Sequence, residues 1–64
     1  NIQNIRLRSG LTQDQLIAKM QIKGSNMSRS TLANIEAGRR NIKVYDLKLI
    51  KEILDVPYEC FFES

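Results

Sequence analysis

Sixty-four residues with one Cys and no His make a single domain, 1–64, with a small core, and they lack the side chains for the usual zinc sites or for acid–base catalysis near neutral pH. Hydrophobic residues make up 42% and charged residues 27%, the balance of a folded globular chain rather than a disordered one. The net charge of +3 is unevenly spread, with eight cations against two anions in residues 1–43 and two against five in residues 44–64, so one side suits a polyanion.

Proline occurs only at Pro57, alternating patterns are missing, and the glycines stand where elements should stop, so the chain reads as a compact all-α bundle of five short helices. The first covers about Asn1 to Ser9, with Ile2 and Ile5 on one face and Gly10 as its stop. The second opens after Thr12, because Thr12-Gln13-Asp14-Gln15 has the capping-box form, and it turns Leu16 and Met20 inward beside Ile17 and Leu11. The third is bracketed by Ser28 as N-cap and Gly38 just past its end, giving roughly Arg29 to Ala37, with Met27 and Leu32 in staple positions and Leu32 and Ile35 inward. Its opposite face carries Arg29, Ser30, Ala33 and Asn34, small or hydrogen-bonding residues with few of the Glu/Lys pairs that solubilise an exposed helix. The fourth runs from about Val44 to Leu54, its stripe of Leu47, Ile50, Ile53 and Leu54 marking the central helix, with Leu49 at the stripe's edge. A last turn after Pro57 is expected to bring Tyr58, Phe61 and Phe62 over the core.

Two short helices joined by a turn, the second with a small polar outer face, are what reading a DNA major groove requires. The segments Gly10-Leu11-Thr12-Gln13-Asp14-Gln15-Leu16 and Ser28-Arg29-Ser30-Thr31-Leu32-Ala33-Asn34-Ile35-Glu36-Ala37-Gly38-Arg39-Arg40 closely resemble the lambda-repressor-like, or XRE (Cro-type), helix-turn-helix family of transcriptional regulators. The resemblance continues through Tyr45-Asp46-Leu47 to Asp55-Val56-Pro57. It implies a lambda-repressor-like DNA-binding domain whose second and third helices form the helix-turn-helix and whose third enters the major groove. Carried over by position, Arg29, Ser30, Ala33 and Asn34 would face base edges: Arg suits guanine, Asn suits adenine, and the methyl groups of Ala33 and Thr31 suit thymine. Gln13, Ser28, Thr31, Arg39, Arg40, Asn41 and Lys43 would hold the DNA backbone, with Gln13 also bracing the reading helix. Arg6 and Glu36 match positions that pair across the first and third helices, a structural role.

The sequence departs from the family at its turn. Gln21-Ile22-Lys23-Gly24-Ser25-Asn26-Met27 is about five residues longer than the usual connection, a length that costs little loop entropy. It is expected to extend the second helix towards Lys23, with Gly24 ending it. A spacer role is expected for this segment, with a phosphate contact through Lys23 or Ser25 as the other reading.

The expected function is therefore sequence-specific binding of double-stranded DNA by a regulator, of repressor type, acting as a homodimer on a palindromic operator without metal, cofactor or small molecule. The alternative is a protein-interaction module on the same fold, such as an antitoxin or regulatory subunit, with Tyr45, Leu49, Phe61 and Phe62 supplying an apolar patch. An enzyme is not expected, since no glycine-rich phosphate loop accompanies the missing His. No apolar run approaches the ~20 residues of a membrane span, no signal peptide is evident, and Cys60 has no internal partner. Those features suggest a cytoplasmic protein of bacterial or phage origin. The start at Asn1, without Met, suggests a piece of a longer chain.

Overall fold

Four α-helices and a closing 3-10 turn follow one another along the chain: α1 (Ile2–Arg8), α2 (Gln13–Ile22), α3 (Arg29–Glu36), α4 (Val44–Leu54) and the turn Tyr58–Phe61. The structure, a computed structural model, describes residues 2–62, and no strand occurs among them. Asn1, placed above at the head of the first helix, lies outside the described residues.

Local chemistry sets each helix boundary. At α2 the Thr12 hydroxyl accepts from the Gln15 amide at 3.1 Å while the Gln15 side chain accepts from the Thr12 amide at 2.9 Å, so two orphan donors of the first turn are satisfied reciprocally. The far end of α2 reaches Ile22 and is closed by Gly24 at φ +98°, with the Ser25 amide donating back to the Met20 carbonyl and the Gly24 amide to that of Gln21, both at 3.0 Å. This is a Schellman closure, and its left-handed residue favours glycine. Gly38 closes α3 in the same way at φ +77°, with Arg39 donating to the Asn34 carbonyl.

Leu16, Met20, Leu32 and Ile50 are sealed from solvent, and Ile2, Ile5, Ile17, Met27, Leu54 and Phe61 complete the core around them. α2 packs on both α3 and α4, while α1 packs against the closing turn. The molecule measures 27 × 24 × 21 Å.

Two expectations about side chains are corrected, and the fifth helix is of the 3-10 kind, four residues long. Pro57 caps it with no amide to donate, and the Phe62 amide already bonds the Glu59 carbonyl, an i to i+3 pattern that does not propagate. Of its three aromatics only Phe61 joins the core: Tyr58 lies under the Lys51 ammonium at 5.1 Å and Phe62 is 76% exposed. Finally, Leu49, expected at the edge of the stripe, is buried, while Leu47 and Ile53 are half-buried and pack against the core as expected. Leu49 lies one helical turn from both Tyr45 and Glu52, whose outer atoms meet Lys23 just past the end of α2.

Candidate nucleic-acid interface

α3 is short, and its start is locked from within. The Ser28 hydroxyl accepts from the Thr31 amide at 3.1 Å and donates to the Thr31 hydroxyl oxygen at 3.0 Å. Capping thus uses the oxygen of Ser28 and the second bond its hydrogen, while the hydrogen of Thr31 is left to point elsewhere. At about 100° per residue, Arg29, Ala33, Ala37, Ser30 and Asn34 share one arc of roughly 140°. Arg29, Ser30 and Ala37 are exposed, whereas Ala33 and Asn34 are half-buried. The arc carries no carboxylate and no large apolar group.

One flank of α3 is tied to α1 and α2. Arg6 donates from Nε to Glu36 Oε2 at 2.8 Å and from Nη2 to Oε1 at 3.0 Å, with side-chain exposures of only 6% and 3%. A third guanidinium bond, from Nη1 to the Leu11 carbonyl at 2.9 Å, leads into the loop before α2. Gln13 Nε2 donates to the same Glu36 Oε1 at 3.0 Å. Burial pushes the Glu36 carboxyl up, but the hydrogen bonds from Arg6 and Gln13, with the Arg6 charge, hold it below the ordinary value of 4.5. One carboxylate thereby fixes α3 relative to two other helices. Next to this network the Arg29 Nε stands 3.5 Å from Asp14 Oδ1 in an exposed pair.

The other flank opens onto a cleft of about 250 Å³ whose lining includes Asn26, Thr31, Arg40, Asn41 and Lys43. Four of these five were singled out from the sequence for backbone contacts. Arg39 is exposed outside that cleft. The structure therefore brings Gln13 to one side of α3, and Thr31, Arg40, Asn41 and Lys43 to the other, with the small-residue arc between them.

The lengthened turn supplies features that sequence reasoning did not reach. Ser25 is buried, its hydroxyl accepting from the Met27 amide at 3.1 Å and donating to Asp46 Oδ1 at 2.9 Å in the first turn of α4. That hydroxyl is spent internally, and the Lys23 ammonium stands 4.0 Å from Glu52. The segment spans the gap and clasps α4, and it also carries Asn26 to the cleft. Asp14, too, escaped notice, because nothing local in Thr12-Gln13-Asp14-Gln15 indicates that Arg29 will face it.

Of the four residues considered for an apolar interaction patch, Leu49 and Phe61 are buried, leaving Tyr45 and Phe62 exposed. Among the described residues no group of His, Cys, Asp or Glu is gathered that could hold a metal ion, and no helix is long and apolar enough to cross a membrane.

A helix-turn-helix family model matches residues 2–59. The chain belongs to this family, the lambda-repressor-like or XRE kind, whose members are DNA-binding rather than catalytic domains. No curated protein and no solved structure matches it.

Proposed function

We propose that residues 1–64 act as one sequence-specific reader of double-stranded DNA, serving a transcriptional regulator of repressor type, with α3 in the major groove. The observation that carries this reading is the arrangement around α3. The arc of Arg29, Ser30, Ala33 and Asn34 lies between Gln13 on one side and Thr31, Arg40, Asn41 and Lys43 on the other, the order of groups that a groove-filling helix bordered by phosphates calls for. Arg29, Ser30, Ala33 and Asn34 read base edges. Gln13, at the start of α2, holds one strand's backbone, and Ser28 joins it by turning its hydroxyl hydrogen from Thr31 to a phosphate. Thr31, Arg40, Asn41 and Lys43 hold the other through the cleft, with Arg39 adding charge beyond the helix end.

A domain whose longest dimension is 27 Å allows two copies to sit side by side on half-sites one helical turn, about 34 Å, apart. The assembly proposed is a homodimer on a palindromic operator.

Selection from a random duplex pool, followed by salt titration on the selected sequence, tests the reading. A palindromic consensus is expected, with log K falling linearly against log[salt] by about 0.9 per phosphate contacted. Failure to enrich any sequence, or salt-insensitive binding, would contradict it.

A further inference from the structure

We infer that Asp14 is a specificity-determining positioning residue, which holds the Arg29 guanidinium in the orientation that recognises one base; the inference rests on α3 being the reading helix. Arg29 is the first residue of α3, and that helix has no acidic residue in its first turn. A cation there opposes the helix dipole, and α3 itself supplies no compensating charge in that turn. It comes from α2: Asp14 Oδ1 stands 3.5 Å from Arg29 Nε, and both side chains remain largely exposed, at 71% and 64%. Asp14 is one of only two anions in residues 1–43, and the other, Glu36, is shielded by Arg6.

An unpaired carboxylate at the rim of a DNA-facing surface repels phosphates. A carboxylate standing as an ion pair on the Nε side of the guanidinium does something useful, because it leaves the two terminal nitrogens free. Those are the donors that pair with O6 and N7 of guanine. A long side chain held in one orientation before binding also loses less freedom on reaching its base. Asp14 thereby trades general affinity for discrimination.

The test compares the parent with Asp14→Ala, Asp14→Asn, Arg29→Ala and the Asp14→Ala/Arg29→Ala double variant. Each is titrated, at one salt concentration, with the selected duplex, with all of its single base-pair variants and with an unrelated duplex. Arg29→Ala identifies the base pair that Arg29 reads. At that pair Asp14→Ala should lower discrimination roughly three- to fivefold, the scale of an exposed ion pair, while binding to the unrelated duplex tightens. Asp14→Asn, which keeps an acceptor oxygen, should lie between Ala and the parent. With Arg29 already absent, Asp14→Ala should change discrimination no further.

Parent-like discrimination in Asp14→Ala, with only a lowered melting midpoint, would overturn the inference and leave Asp14 serving the dipole of α2. An equal loss with and without Arg29 would overturn it as well. If Arg29→Ala itself leaves base preference untouched, the reading of α3 fails and the inference falls with it, so the two failures are told apart.

Discussion

The Arg6 guanidinium grips the Glu36 carboxylate with two hydrogen bonds, at 2.8 and 3.0 Å, across the space between the first and third helices. Because both side chains are buried, removing one strands the other. Glu36→Ala should cost about 3–5 kcal/mol in urea unfolding. For a chain this small that is a large share of the total stability.

The same pair sets a pH dependence. Glu36 has a folded-state pKa below its ordinary value of 4.5, so its contribution is complete above the unfolded-state pKa and is lost as pH falls through the folded one. Stability should therefore decline on acidification below about pH 4.5. In Glu36→Gln this component of the decline should disappear, which parallel denaturation series at neutral and acid pH would reveal.

The clasp between the lengthened turn and α4 is the next point of leverage. Ser25→Ala leaves the Met27 amide and a half-buried Asp46 oxygen short of a partner. The expected loss is about 1–3 kcal/mol. Lys23→Ala, which removes only the exposed pair with Glu52, should change stability by less than about 1 kcal/mol. Equal effects from the two would mean that the turn is a passive spacer.

Both ends of α3 can be weakened independently. Ser28→Ala removes the cap and should cost about 1 kcal/mol. Gly38→Ala forces a side chain into φ +77°, where open space leaves only backbone strain to oppose it, again about 1–2 kcal/mol. Thermal melts of the single and double variants should show near-additive losses, since the two sites share no partner.

Helix boundaries were legible because caps are local signals: Thr12 with Gln15, Ser28 and Gly38 announce themselves within a few residues. The core was legible where helical spacing was strict, as at Leu16, Met20 and Ile50. In α4 it under-read only Leu49, which is buried one turn from Tyr45 and Glu52 where they meet the end of α2. Tyr58 and Phe62 misled because a 3-10 turn aims fewer side chains inward than a helix would. The proximity of Arg6 and Glu36 was suggested by the family resemblance, not by spacing. Contacts made by the atypical turn had no such guide: Ser25 and Asp46 are 21 residues apart, and only the folded chain brings them together.

Two cations, Arg29 on the arc of α3 and Arg40 on its rim, should separate recognition from attraction. Arg29→Ala should lose about 1–3 kcal/mol of preference at one base pair. Arg40→Ala should weaken all duplexes about equally and shrink the salt slope by about one phosphate. Equilibrium titrations at several salt concentrations distinguish these outcomes.

The central claim, that the arc of α3 and its two rims form the DNA-facing surface, is tested most directly by following backbone amide NMR signals as the selected duplex is added. Shifts are predicted to concentrate at residues 13–14, 28–34 and 39–43, with Tyr58, Phe61 and Phe62 unmoved. Shifts centred instead on the closing turn or the exposed Tyr45 side of α4, with Arg29, Ser30 and Asn34 unaffected, would contradict it.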